Sequence, residues 1–329
     1  MARPNKQVLE ERENFLQSIK ECADSPSKFS EIFLDHKLFP YNKKYVDCQD
    51  RFIVYRSGRQ VGKTMSTAVK ACHFAFFAPL MLTSVKNECV IVIAAPTQNQ
   101  ATIMFNRIRD LITDNEFLKG FVVRNTQTEL WVRFLDNTGV SKLIVRATGE
   151  TGVSLRGYSP HCIIADECSF IKTDILRAFL PSGLATKARI WLTSTPFSKA
   201  GYFYEACQNA KPSNPEGMWT EFHVESTENP LVQEDPAFIE EIKRLTKEEY
   251  VQEVKGEFLD IGDALIPNSL IMEAMSDKRP KGNVRYYMGV DVARTGRDET
   301  VYTIVAVDDD NVVYLEEVQS ESQSNVVDV

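Results

Sequence analysis

Four short runs along the chain are almost wholly apolar: RFIVYR from Arg51, CVIVIAAPT from Cys89, HCIIADE from His161 and RIWLTSTP from Arg189. Runs without polar alternation are what strands buried on both faces of a parallel sheet require, and the helical stretches between them supply the covering layers. The pattern predicts an α/β architecture, a mainly parallel sheet between helices. Between the second and third runs, ELWVRFLDNTG and SKLIVRATG alternate polar and apolar residues around Asn137-Thr138-Gly139, which predicts an antiparallel hairpin added to the sheet. Ahead of the first run, Val8, Leu9, Phe15, Leu16 and Ile19 fall at helical spacing, and Ser25-Pro26 opens a second helical segment around Phe29, Ile32 and Phe33. Asp235-Pro236 offers a cap followed by a first-turn proline, so one helix is expected from there to about Phe258, with Ile242, Leu245, Val251 and Val254 on its buried side. The stretch IGDALIPNSLIMEAMSDKRPKGN is rich in breakers and reads as a connection, after which RYYMGVDVA, TVYTIVAVD and VVYLEEVQ read as three strands joined by short turns. The expected organisation is a helical lead-in over 1–50, an α/β domain over 51–258, a linker over 259–284 and a strand-rich segment over 285–329.

Composition adds limits. The chain has 329 residues, 43% apolar and 26% charged, which is ordinary globular material with enough apolar side chains for large cores. No stretch approaches twenty uninterrupted apolar residues and the N-terminus is charged, so a soluble, cytosolic protein is expected, without a membrane span. Seven cysteines include no C-x-x-C pair and there are only four histidines, so the thiols read as reduced and mostly buried rather than as zinc ligands. A net charge of -8 argues against a surface coated in nucleic acid, while leaving room for a local basic track. Arg107, Arg109, Lys119 and Arg124 form one basic cluster, which a solvated helix face explains equally well.

The chemistry sits at the ends of the apolar runs. SGRQVGKT follows the first run and precedes a helical pattern, the context a phosphate-binding loop needs. In that reading the backbone N–H groups of Ser57, Gly58, Arg59, Gln60, Val61, Gly62, Lys63 and Thr64 surround the phosphates of ATP. Lys63 neutralises their charge and the Thr64 hydroxyl ligates Mg2+. A bare GKT is often only a loop and a helix start; the order strand, loop, helix carries the assignment. Asp166 and Glu167 end the third run, the first placed to hold magnesium and the second to orient and deprotonate the attacking water. About one hundred residues separate Lys63 from this pair, enough to insert another strand between them. TSTP ends the fourth run, where hydroxyls such as that of Thr195 would sense hydrolysis and pass it on. In the last segment, Asp291 sits within an apolar strand, where a carboxylate is costly unless it binds something, and Asp298 sits in the following turn, where a plain turn role competes with a metal role.

Taken in order, SGRQVGKT, AAPTQNQA, SLRG, IIADE and TSTP resemble the ATPase motifs of large terminase subunits from tailed bacterial or archaeal viruses, the DNA-packaging motors. Members of that family often replace the first loop glycine, here Ser57, and carry Arg-Gln inside the loop, matching Arg59-Gln60. The resemblance implies a P-loop NTPase followed by the first strands of a ribonuclease H-like nuclease, incomplete in this chain because the family's further acidic ligands would follow Val329. It also implies Arg156 of SLRG as a finger for a neighbouring subunit's nucleotide and Arg59 as a contact in cis, each with a surface or structural arginine as the competing reading. Asn42, after Pro40-Tyr41, stands where the family often has its adenine-contacting glutamine. Asp291, with Asp298 in support, would hold paired divalent metals, Mg2+ or Mn2+. The implied partners are double-stranded DNA, a portal protein and a small terminase subunit. The implied working form is a homo-oligomeric ring, expected to be pentameric, docked on the procapsid in the cytoplasm of the infected host. A superfamily-two helicase-like DNA translocase is compatible with AAPTQNQA and the Asp-Glu pair, but it needs a second motor domain with a Q-x-x-G-R-x-x-R type motif, and none is found. A protein that binds nucleotide only for structure is disfavoured by intact Lys63, Asp166 and Glu167.

Overall fold

The structure, a computed structural model, describes residues 6–149, 152–155, 157–259, 282–292 and 299–322. They belong to two compact units, Met1–Asn268 and Ser269–Val329.

The first unit is built on a nine-stranded sheet. Its strands are β1 (Phe52–Ser57), β2 (Glu88–Ala95), β3 (Val122–Asn125), β4 (Glu129–Arg133), β5 (Val140–Ala147), β6 (Cys162–Asp166), β7 (Arg189–Ser194), β8 (Ala210–Lys211) and β9 (Trp219–Val224). Their order is β3-β4-β5-β2-β6-β7-β1-β9-β8. From β5 to β8 every pairing is parallel, and β3 and β4 add antiparallel at one edge. The four apolar runs are β1, β2, β6 and β7, and β7 lies between β1 and β6.

Alternate residues of each run go to opposite cores, which is why the runs show no polar alternation. Ile53 and Tyr55 of β1, Ile91 and Ile93 of β2 and Ile164 of β6 face one apolar cluster, whereas Val54, Val92, Ala94, Ile163 and Ala165 face the other. The first cluster is covered by α1 (Lys6–Ala23), α2 (Pro26–Phe33), α3 (Pro40–Asp47), α4 (Lys63–Met81) and α5 (Gln98–Thr113). Ser25 caps α2, accepting from Lys28 N at 3.3 Å, with Pro26 in the first turn. Phe29, Phe33, Tyr45 and Val46 bring the lead-in helices into the same core as α4. The second cluster packs the helices over 173–179 and 202–208 against the sheet's other face. All seven cysteines are unpaired thiols, six of them buried. No described helix is long and apolar enough to cross a membrane.

The expected hairpin is present, β4 pairing antiparallel with β5 and Asn137 taking the left-handed conformation in the turn at φ 59°. Two features depart from the expected pattern. The single helix expected from Pro236 to Phe258 is broken: Pro236–Arg244 is helical, Leu245 is extended, Lys247–Glu249 starts a new turn, and a wide π-type turn covers Tyr250–Val254. The physical cause is a capping box, Thr246 accepting from Glu249 N at 3.2 Å and Glu249 accepting from Thr246 N at 2.8 Å, which begins a helix where apolar spacing alone would continue one. Ile242, Leu245 and Val251 are accordingly only partly buried, and Val254 alone is fully so. The second departure is β9, whose Thr220, Glu221 and His223 hide it from an apolar search. Its Glu221 is matched by Arg56 of β1 at 2.8 Å.

The second unit is a three-stranded antiparallel meander, β10 (Arg285–Asp291), β11 (Glu299–Val307) and β12 (Val313–Ser322). Asp308 holds the turn between the last two strands, accepting from the backbone of Asp310 and Val312 and from the Tyr314 hydroxyl, each at 3.0 Å. The outer strands are exposed, with Tyr286, Met288, Val290, Val313 and Leu315 in solvent.

Candidate nucleotide site

At the C-terminal ends of β6, β7 and β1 the registers place Asp166 beside Thr193 and Tyr55 beside Thr193, so the three strands end level with one another. The loop Ser57–Thr64 leaves β1 at that end and runs into α4. Gln60 (φ 63°) and Gly62 (φ 78°) take left-handed backbone conformations, and Gly62 is the residue that caps α4. At Gly58 only glycine fits: a Cβ would come within 2.3 Å of Val254 O and 2.5 Å of Ser226 Oγ. The loop is tied down from outside by Gly58 N donating to Val224 O at 3.0 Å, Arg59 N to Glu253 O at 2.8 Å and Ser226 Oγ to Arg59 O at 2.7 Å. From beneath, Asn42 donates to Val61 O at 2.9 Å while accepting from the Tyr55 hydroxyl at 2.7 Å. The family resemblance set Asn42 where an adenine-contacting glutamine often stands; in this structure both ends of its buried amide are engaged by protein, and it is not among the residues that line the cleft.

Above the loop is a cleft of about 620 Å³, lined by Gly58 through Met65, Gln100 and Arg107 of α5, Glu167, Phe170, Thr195, Gln252 and Glu253. Lys63, nearly buried, reaches Glu167 with Nζ 3.4 Å from Oε1. Glu167 has φ 50° and ψ 44°, a left-handed conformation uncommon for a residue with a side chain, and such strain clusters at functional positions. Asp166 is 4% exposed, and its Oδ1 accepts from Thr193 Oγ1 at 2.6 Å. Burial pushes its carboxyl up from the ordinary range, against the pull of Lys63. A buried carboxylate that accepts a hydroxyl and lies beside a lysine fits a water-bridged divalent cation, which would offset its desolvation. Ser57 Oγ is buried with no hydrogen-bond partner among the described residues. These observations, with the αL-capped helix start, fit a magnesium-bound phosphate chain.

The structure brings Gly58–Thr64, Glu167 and Thr195 into one cleft, with Ser57 and Asp166 at its base. Arg59 lines it too, with its guanidinium paired to Glu253. Arg156 and Asp298 lie outside the described residues. Asp291 belongs to the second unit, where it is the last residue of β10, exposed and opposite Val301. The burial cost that singled it out in the sequence therefore does not apply in this structure. Among the described residues no cluster of His, Cys, Asp or Glu is arranged to hold a metal ion.

Several residues of the site were missed by sequence reasoning. Thr193 rather than Thr195 touches Asp166, and Ser194 Oγ lies 3.4 Å from Glu167 Oε2; TSTP contained that signal, since alternate side chains of a strand serve opposite faces. Gln252 and Glu253 carried no signal, while Gln100, inside AAPTQNQA, and Arg107, in the basic cluster, could not be placed at the loop, because nothing local says which face of a helix turns to it.

The family model for terminase large subunits, T4likevirus-type, N-terminal, matches residues 54–272. A probable large terminase subunit of Enterobacteria phage P7 is 26% identical over 267 residues, taking in 76% of this chain and 52% of that protein. The chain thus spans about half the length of that curated relative. Two solved structures share the fold. The large terminase ATPase domain of Thermus phage P74-26 is 23% identical with a TM-score of 0.58, over 71% of this chain and 99% of that one. The large terminase of bacteriophage HK97 is 17% identical with a TM-score of 0.58, over 89% of this chain and 67% of that one. With the loop, the Asp-Glu pair and the inserted strand β7 all inside a family match that covers more than half of its length, the chain belongs to the terminase large subunit family.

Proposed function

We propose that the first unit is the ATP-hydrolysing motor of a DNA-packaging enzyme. The observation that carries this reading is the Lys63–Glu167 approach at 3.4 Å across a cleft floored by the Ser57–Thr64 loop. The relative from Thermus phage P74-26 is itself described as an ATPase domain. Bound MgATP would supply the scissile phosphoanhydride and a cation that draws charge off it. The chain's own residues do the rest: loop N–H groups and Lys63 orient the phosphates, while Thr64 and Asp166 hold the cation. Thr193 fixes the Asp166 carboxylate, and Glu167 takes the proton from the attacking water. Arg59, freed from Glu253, stands ready as a cis cation, Arg156 as a trans one, and Thr195 at the cleft edge as a reporter of hydrolysis. Asn42 acts as a prop for the loop. Residues 1–50 and 51–258 form the motor, with a connection over 259–284.

The wider activity follows from the family and is part of the same proposal. Hydrolysis drives double-stranded DNA into a procapsid, by a homo-oligomeric ring, pentameric in our reading, working with a portal protein and a small terminase subunit in the host cytoplasm. The segment over 285–329, to which β10, β11 and β12 belong, is read as the start of a ribonuclease H-like nuclease, with Asp291 and Asp298 as ligands for two divalent metals. The test of the motor assignment is steady-state hydrolysis at saturating MgATP. Glu167→Gln should bind nucleotide as wild type does while losing turnover by about a hundredfold or more, the range of a lost general base. Near-normal turnover in that variant would remove Glu167 from the role.

A further inference from the structure

We propose that Arg107 is a cis contact for the terminal phosphate of a nucleotide seated on Ser57–Thr64, an inference that rests on the nucleotide reading of the cleft. Three cations line this cleft, Arg59, Lys63 and Arg107, together with two carboxylates, Glu167 and Glu253. Arg59 is paired with Glu253 and Lys63 with Glu167. Arg107 is exposed and makes no hydrogen bond or ion pair with any described residue. Among the cations that line the cleft, Arg107 is thus the one without an ion-pair partner among the described residues, and a phosphoryl oxygen is a partner its guanidinium can take.

Helix α5 fixes where that charge points. Thr97 caps it, accepting from Gln100 N at 3.3 Å and donating to Gln100 Oε1 at 2.8 Å. Met104, Phe105 and Ile108 are buried, and Cys72 Sγ of α4 lies 3.7 Å from Ile108 O. Gln100 and Arg107 are about two turns apart, so they share a face, and both line the cleft. The sheet order β2-β6-β7-β1 gives the direction. Glu167 and Thr195, at the tips of β6 and β7, mark the end of the cleft where the attacking water must stand. Helix α5 follows β2, on that same side of the loop. A guanidinium there presents a planar fork to a phosphoryl group.

The competing occupant is the backbone of a DNA duplex, since Arg107 opens a basic cluster in the sequence. The other members of that cluster are already engaged: Arg109 with Asp110 at 3.5 Å, Lys119 with Glu116 at 3.9 Å and Arg124 with Glu129 at 3.4 Å. A backbone track needs several available cations, and the nucleotide needs one.

The experiment is equilibrium binding of MgATPγS and of MgADP to the full chain, as wild type, Arg107→Ala and Arg107→Lys, with duplex binding and the thermal midpoint measured in parallel. Arg107→Ala should weaken MgATPγS about tenfold and MgADP by less than about threefold, the size of one lost charge-assisted contact. Arg107→Lys should recover part of the loss, and the midpoint should not move. Equal losses for both nucleotides, or no loss for either, would overturn the proposal, including the case in which duplex binding alone falls. If Arg107→Ala does not fold, Arg107→Lys and Arg107→Gln carry the same comparison. Wild-type chain that binds neither nucleotide would sink the underlying reading, an outcome distinct from wild-type binding that the substitutions leave unchanged.

Discussion

Asp166 and Asp291 both end a strand with an apolar sequence, IIAD in β6 and MGVD in β10, yet the two strands have opposite surroundings. Every residue of β6 is buried, and Asp166 is held by Thr193 beside Lys63. Every residue of β10 is exposed, and Asp291 faces solvent. The difference teaches that an acid at the end of an apolar run carries chemical meaning only through what covers the run. Two helical layers turn the first into a low-dielectric site in which a carboxylate demands a counter-charge, whereas burial makes no such demand of the second in this structure.

The largest consequence is in local stability. Backbone amides of β6 and β7 should exchange with solvent several orders of magnitude more slowly than those of β10 and β12, because the former open only with their doubly covered sheet. Native-state hydrogen exchange checks this, and equal protection in the two sheets would break the comparison. Next comes Thr193→Val, which is close to isosteric and removes the hydroxyl that donates to Asp166 Oδ1 at 2.6 Å. Turnover should fall by about tenfold with the fold intact, in keeping with a lost hydrogen bond to a charged group. Unchanged turnover would show that burial alone positions the carboxylate.

A third test concerns another buried charge of the first unit. Lys70 on α4 is 2% exposed and donates to the carbonyls of Tyr45, Val46 and Cys48 at 3.2, 2.7 and 2.6 Å, holding the end of α3. Burial pulls its ammonium down to about 7 from 10.5. Across that window the unfolded chain binds the proton more tightly, so this residue's contribution to stability rises with pH. The stability difference between wild type and Lys70→Met should therefore shift toward wild type by about 1 kcal/mol per pH unit between pH 7 and 9. Urea midpoints of the two proteins measure it, and a flat difference would contradict the assignment. The smallest effect is expected of Asp291→Ala, within about 0.5 kcal/mol of wild type, as for surface changes generally.

The sequence was most legible where one physical demand acted alone. A sheet covered on both faces needs uninterrupted apolar strands, so β1, β2, β6 and β7 and the motifs at their tips could be placed directly. Strand β9 escaped because Glu221 and His223 are satisfied by Arg56 and by Lys255 O, partners that no local pattern announces. The break after Arg244 was written in Thr246 and Glu249, but apolar spacing on either side outweighed the capping box. Arg59 and Glu253 are 194 residues apart, and Arg107 faces the loop only because α5 packs on α4, so this part of the site existed only in the fold.

The central claim is that Ser57–Thr64, Asp166 and Glu167 form a nucleotide site within one chain. Calorimetric titration of the 329-residue chain with MgATPγS addresses it directly. Saturable binding at one site per chain is expected, lost in Lys63→Ala and preserved in Asp291→Ala. No binding by the wild-type chain, or binding that Lys63→Ala leaves intact, would contradict it.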